Sequence, residues 1–254
     1  HKDVYEQQQK KGLPYVELLK ACAKKKDVYK GIQLHAGILR RGLLQNNPYV
    51  ASALINMYAR CGELGQAQKV LEELHTRDVV SWSSLISGYA RQEQGHEALK
   101  CFEHMQSEGL IPDEVTCLCI LSACSHSGLL DEAQNIFNSM MKKFGISPSS
   151  EHHTCMVMAL GSVGQFDKVM SVIKMMPSSD YSSVWLAVLG ACSKWGNVKL
   201  GRLAFDQAIQ LGGGCALAYV LMSNIFAVAG MQEDAKKVES MRLKYTSPEG
   251  MNQY

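Results

Sequence analysis

The chain has 254 residues, of which 46% are hydrophobic and 20% charged, with a formal net charge of +2 at pH 7. Such a chain is too apolar to stay disordered and too near neutral to hold a polyanion by its overall field. It also has no apolar run near the roughly 20 residues that cross a bilayer.

Taken in order, the chain opens on HKDVYEQQQKKG, which has no signal-peptide core and no Arg/Ser-rich transit character. An organellar address would lie outside it. YEQQQKKG has the pattern of the helix end FEHMQSEG at residues 102–109, so residues 1–11 read as the end of a preceding repeat in a longer array. Seven units then start at Gly12, Pro48, Val79, Glu114, Ser150, Ser182 and Ala216, at intervals of 36, 31, 35, 36, 32 and 34 residues by subtraction. The unit is plainest at Val79–Asp113. Its spacing predicts one amphipathic helix from about Trp82 to Gln92 and a second from about His96 to Glu108. Gly95 punctuates the turn between them, and Gly109 with Pro112 stops the second helix. After Lys237 the pattern fades, and Pro248 with Gly250 excludes a long further helix, leaving 246–254 as a frayed tail.

Internal columns hold across the unequal intervals. The first helices carry Leu18, Leu54, Leu85, Ile120, Met156, Val188 and Met222, all apolar. A small-residue column reads Ala23, Ala59, Ala90, Ser125, Gly161, Ser193 and Ala227. The second helices carry Gly31, Ala67, Ala98, Ala133, Val169, Gly201 and Ala235. Glycine stands at the turn in five units, at Gly62, Gly128, Gly164, Gly196 and Gly230. Each helix has one apolar face, so a pair needs copies on either side to close a core, which predicts an all-α solenoid.

Nine cysteines contain no Cys-x-x-Cys, and Cys117 with Cys119 is the one close pair. Cys22, Cys124 and Cys192 fall at one place in three units, inside KACAK, SACSH and GACSK. That recurrence marks a packing position rather than a metal ligand. An odd number of scattered thiols suits a reducing compartment.

Tetratricopeptide units share this length, but their Trp/Leu-Gly/Tyr and final-Pro signature is absent. Instead the chain reads NPYVASALINMYARCGELGQAQKVLEEL, DVVSWSSLISGYARQEQGHEALKCFEHMQSEGLIPD and EVTCLCILSACSHSGLLDEAQNIFNSMMKKFGISP. These resemble pentatricopeptide repeats of the plant type that alternates long, short and standard units. The resemblance implies a right-handed superhelical α-solenoid, with a long unit at 12–47, a short one at 48–78 and a standard one at 79–113. A second long unit at 114–149 and a short one at 150–181 follow. SEHHTCMVMALGSVGQFDKVMSVIKMMP resembles the last short unit of such proteins. Residues 182–215 and 216–245 resemble the two extension motifs, E1-like and E2-like, that come after it.

The thirteenth residues of the units are Lys24, Arg60, Arg91, His126, Ser162, Lys194 and Val228. The cations Lys24, Arg60, Arg91 and Lys194 make a row that suits a single-stranded phosphate backbone, although cations also favour any helix C-terminus. In the family, the fifth and last residues of a unit flank one base and read its Watson–Crick edge. The resemblance therefore implies base-specifying pairs Ser52 with Asp78, Ser83 with Asp113, and Thr154 with Asp180. A hydroxyl beside a carboxylate implies guanine there, because a carboxylate only accepts and guanine offers N–H donors. A frame one residue later would make Tyr181 the last residue of its unit in place of Asp180. Val16, Leu118, Leu186 and Val220 at other fifth places should read little. Tyr49, Val80 and Val115, second in their units, resemble the apolar wedges that sandwich bases, while Glu151 breaks that pattern. Ser and Asp at these places also read as helix caps. Three pairs in register favour recognition, with a 5′-to-3′ preference of guanine, guanine, any base, guanine.

The resemblance implies a sequence-specific single-stranded RNA-binding module of an organellar factor, in mitochondrion or chloroplast. It would serve as the address for C-to-U editing, with a deaminase-domain protein engaged at the E-like motifs. The His-x-Glu and Cys-x-x-Cys of zinc deaminases are missing, so no catalytic residue, metal or cofactor is expected. A monomer without membrane contact is expected. The alternative is a protein-binding helical scaffold within an organellar ribonucleoprotein or ribosome.

Overall fold

The computed structural model describes residues 2–176, 182–212 and 215–245, with side chains for 12–176, 183–212 and 216–243. Asp180, Tyr181 and the tail 246–254 lie outside the described residues. The described residues form helices and connecting turns with no strand. The fold is an α-solenoid, in two compact units: residues 1–129 with 138–146, and residues 130–137 with 147–254.

In the first unit the helices are α1 (Lys2–Lys25), α2 (Val28–Arg40), α3 (Leu43–Asn46), α4 (Pro48–Cys61), α5 (Leu64–Glu73), α6 (Val79–Arg91), α7 (Gly95–Ser107) and α8 (Glu114–His126). The first helices α1, α4, α6 and α8 pack each on the next, and α2, α5 and α7 each pack on their own partner and on the following first helix. After α9 (Leu130–Ser139), a π-helical turn Met140–Phe144 sets the Phe144 ring edge-on to Phe102, with centroids 6.5 Å apart. In the second unit α10 (Ser150–Ser162), α12 (Ser182–Trp195) and α14 (Cys215–Val228) stack in the same way. They pair with α11 (Phe166–Lys174), α13 (Val198–Gln210) and α15 (Gln232–Tyr245).

The core follows the apolar first-helix column and the small second-helix column, whereas in the small first-helix column Ala90 and Ser193 are half-buried and Ala227 is exposed. Leu54, Leu85, Ile120 and Val188 are fully buried, and so are their chain neighbours Ile55, Ile86, Leu121 and Leu189. Two adjacent apolar residues per first helix give it two buried flanks, one toward its partner and one toward the next unit. Every residue of the small second-helix column, from Gly31 to Ala235, is buried. Cys22, Cys124 and Cys192 are buried as packing residues. Outside the core, Glu108 accepts from Trp82 Nε1 at 2.8 Å and pairs with Arg77, closing the α6–α7 hairpin.

Four sequence expectations need correction. The helix end expected before Gly12 is not found, because α1 runs unbroken from Lys2 with Pro14 inside it. Gly12 instead allows close packing: a Cβ there would stand 2.8 Å from Val50 Cγ2. Leu18 is 40% exposed while Leu19 is fully buried, since no helix among the described residues covers the Leu18 side of α1. The first helix of the standard unit starts at Val79 rather than Trp82, capped by Asp78. Finally, Gly95 is not the turn residue. It begins α7, is buried against Ser127, and its N–H donates to Ser127 Oγ at 3.0 Å. The left-handed residue of that turn is Glu93, with φ 57°.

Candidate nucleic-acid interface

A helix advances about 100° and 1.5 Å per residue, so residues 2, 5 and 13 of a first helix share an arc of about 80°, with 2 and 13 about 16 Å apart. That arc is where the structure leaves unusual side chains in solvent. Tyr49, Val80 and Val115, second in α4, α6 and α8, are 63%, 56% and 60% exposed. Glu151, second in α10, is exposed too. Leu13 and Leu217 hold the same place and are 65% and 51% exposed, two residues of this column that the sequence reading passed over. Reading the column through all seven units would have found both. In five of the seven repeats an apolar side chain is left in water at this one place, with Glu151 and Ser183 there in the other two, and solenoid packing does not require it.

In four units the last residue caps the next first helix. Asn47 Oδ1 accepts from Val50 N–H at 3.2 Å, Asp78 Oδ1 from Ser81 N–H at 2.8 Å, and Asp113 Oδ1 from Thr116 N–H at 2.7 Å. Ser149 joins His152 in a capping box, with Ser149 Oγ 2.7 Å from His152 Nδ1. The cap uses one carboxylate oxygen of Asp78 and Asp113, and no described hydrogen bond takes the other. Capping and recognition are therefore compatible on the same side chain. A carboxylate at this helix end also occupies the spot that would otherwise attract phosphate.

The fifth residues differ among themselves. Ser52 and Thr154 are partly exposed and donate to the carbonyls of Pro48 and Ser150, each at 2.8 Å. Ser83 is 8% exposed. Its Oγ donates to the Val79 carbonyl at 2.6 Å and lies 2.5 Å from Thr116 Oγ1, which in turn donates to Asp113 Oδ1 at 2.6 Å. Ser83 and Asp113 are thus brought together, but through Thr116. Thr116 had no mark in the sequence, since a threonine three residues past an Asp reads only as part of a cap. Ser52 and Asp78 are not joined by a hydrogen bond among the described residues. Asp78 instead opens on a groove of about 320 Å³ lined by Gln45, Asn46, Pro48, Ala51 and Ser81.

At the other end of the helices, Lys24, Arg60 and Arg91 line one groove of about 380 Å³ with Lys26 and Gln92. None of the three has a carboxylate partner among the described ion pairs. Partial burial, and then the neighbouring Arg60 charge, push the Arg91 pKa below its ordinary value. Facing guanidinium groups without a counter-charge favour an anion between them. Lys194 is engaged differently. Its Nζ donates to the Ser162 carbonyl at 2.8 Å and lies 5.6 Å from the Trp195 ring centroid, so it closes the C-terminus of α10.

Stacked helix pairs with a repeated row of exposed apolar, hydroxyl and cationic side chains define a helical-repeat protein of the α-solenoid class. Profiles described as the PPR repeat family, the pentatricopeptide repeat domain and the PPR repeat match residues 77–126, 102–161, and 49–79 with 151–181. The chain belongs to the pentatricopeptide repeat family. It is 40% identical over 226 residues to the chloroplastic pentatricopeptide repeat-containing protein CRR2 of Arabidopsis thaliana, covering 89% of this chain and 34% of that protein. Over 230 residues it is 39% identical to the mitochondrial protein At1g56690 of the same plant, covering 89% and 32%. The chain thus spans about a third of the length of these relatives. Among solved structures it resembles the pentatricopeptide repeat protein PPR10 in complex with an 18-nt psaJ RNA element. The TM-score is 0.71 at 19% identity, over 91% of this chain and 34% of that one.

Proposed function

We propose that this chain is a single-stranded RNA-binding segment of an organellar RNA-processing factor, and that it supplies the address for C-to-U editing. The observation that carries the reading is the groove where Lys24, Arg60 and Arg91 meet without a carboxylate. It lies along the same helices as the exposed apolar residues and the capping aspartates. Bases sandwiched by Leu13, Tyr49, Val80 and Val115 would present their edges to the caps, while the backbone runs past the cations. Relatives named chloroplastic and mitochondrial support an organellar location, and the RNA-bound PPR10 supports RNA as ligand.

The finer assignment rests on the family pattern. Residues 12–47 and 114–149 are long units, 48–78 and 150–181 short ones, 79–113 a standard one, and 182–215 and 216–245 the E1-like and E2-like motifs. The family pattern implies guanine at Asp78, Asp113 and Asp180, and at the Asp113 repeat this is widened below to guanine or uracil. The E-like motifs engage a deaminase-domain protein, and the chain acts as a monomer. A second reading, the protein-binding scaffold, draws on Tyr29, Ile32 and Leu39, which leave one apolar stripe of α2 exposed.

The test is binding of short oligopurine strands at about 50 and about 200 mM salt. Affinity should fall steeply with salt, with a log–log slope of about −0.7 per phosphate held. Binding that is absent at low salt, or indifferent to it, overturns the RNA reading.

A further inference from the structure

Two couples that look alike along the chain are built differently. Behind Ser52 and Asp78, the third residue of the following helix is Ser81. Its Oγ donates to the Asp78 carbonyl at 2.8 Å and accepts from the Asp78 N–H at 3.0 Å. That hydroxyl is spent on the backbone, and Ser52 stays partly exposed, bonded among the described residues only to the Pro48 carbonyl. Behind Ser83 and Asp113 the third residue is Thr116, fully buried. A carboxylate can only accept, so Thr116 Oγ1 gives its one proton to Asp113 Oδ1, the oxygen that also takes the Thr116 N–H. Ser83, 2.5 Å away, can then reach Thr116 only as a donor, and its single proton is divided between Thr116 and the Val79 carbonyl.

We propose that Thr116 is a specificity-determining positioning residue of this repeat. It holds Ser83 away from the base and fixes the Asp113 carboxylate through Oδ1, so that Asp113 Oδ2 is the reading atom. The inference rests on the base-reading function proposed above. An acceptor acting alone takes any base whose pairing edge leads with an N–H, guanine through N1 or uracil through N3. It rejects adenine and cytosine, which present a bare nitrogen there. This repeat therefore sorts bases into two classes, whereas the Ser52–Asp78 couple keeps a hydroxyl for a further contact.

The test uses the full chain and oligoadenylate strands with GGAG at the centre, the second guanine replaced in turn by uracil, adenine and cytosine. Wild type should bind guanine and uracil within about twofold of each other, and both more tightly than adenine or cytosine by roughly fivefold or more. T116V keeps the β-branched shape but lacks the hydroxyl. It should reduce that discrimination to about twofold or less without changing the salt slope, T116S should restore it, and S83A should leave it as in wild type. Discrimination that survives T116V, that T116S fails to restore, or that collapses in S83A overturns the inference. Should T116V lose stability, T116S and S83A still decide. D113N separates the two levels: if it leaves the pattern unchanged, base reading fails here and the inference falls with it. If D113N abolishes the pattern and T116V does not, only the role of Thr116 is lost.

Discussion

Lys26 and Glu93 share one left-handed backbone conformation, with φ 55° and 57°, at the place where the five other units carry glycine with φ from 63° to 93°. All seven repeats turn between their helices through this single residue. A side chain there is strained by contact of its Cβ with the following carbonyl. K26G and E93G should each stabilise the chain by about 0.5–1 kcal/mol, the relief of strain outweighing the extra freedom of glycine when unfolded. A denaturant midpoint that rises with unchanged slope checks this, and G128A should move it the opposite way.

Gly88 shows the reverse use of glycine. It lies inside α6, and a Cβ on it would stand 2.6 Å from Ala59 Cβ and 2.9 Å from Leu64 Cδ2. Alanine is the better helix former by about 1 kcal/mol. Even so, G88A should destabilise by about 1–3 kcal/mol, because both neighbours are themselves buried and cannot yield. Thermal melting of G88A beside the exposed G65A, which meets nothing within 4 Å, isolates the packing term.

These two glycine roles mark how far the fold was legible. The second-helix column, the five turn glycines and the paired core positions all follow from helical period and small side chains, which act within one repeat. Gly95 escaped because its contact, Ser127, lies 32 residues away, and nothing local separates a turn glycine from a close-packed one. At the candidate interface, Tyr49, Val80 and Val115 of the second-place column were marked by their resemblance to the family's wedges, while Leu13 and Leu217 were not. The burial of Ser83 was not, because it depends on Thr116 lying 2.5 Å away across a repeat boundary. Sequence spacing fixes which side of a helix a residue takes but not how deep its neighbour sits.

Arg60 and Arg91 line one groove with no counter-charge, whereas Lys194 is bonded to a backbone carbonyl. The three should respond differently to loss of charge. The double variant R60Q/R91Q should weaken RNA binding uniformly across base sequences and flatten the log–log salt slope by about 1.4. K194Q should leave the slope nearly as it is and lower the melting temperature instead. Equal flattening by K194Q would mean that the lysine leaves Ser162 to hold phosphate.

Burial pushes the thiols of Cys117 and Cys192 up to about 12. In the unfolded chain a thiol titrates near 8.5. Their folded pKa lies above the unfolded one, so the stabilisation is complete below about pH 8.5 and is lost as pH rises toward 12. Each thiol should cost at most about 1.4 kcal/mol per pH unit in that window. Stability measured from pH 8 to 10 should fall, and C117A/C192A should flatten the decline even if its absolute stability is lower. Both thiols should also resist alkylation in the folded protein at pH 8.

Asp78 combines two roles that one substitution can separate. Its Oδ1 caps α6 through the Ser81 N–H, and its second oxygen takes no described bond beside the groove that it lines. Asparagine is as good an N-cap as aspartate, so D78N should keep the cap and shift stability by less than about 0.5 kcal/mol. The amide, however, offers a donor as well as an acceptor, which suits adenine, with its exocyclic N–H and bare N1. The base preferred by this repeat should therefore move from guanine toward adenine, with a discrimination of about 1–3 kcal/mol at that position. Strands differing only in the first guanine of GGAG measure it. A D78N protein that melts like wild type yet still prefers guanine would confine Asp78 to capping, since the exchange adds a donor and removes the negative charge yet keeps the cap.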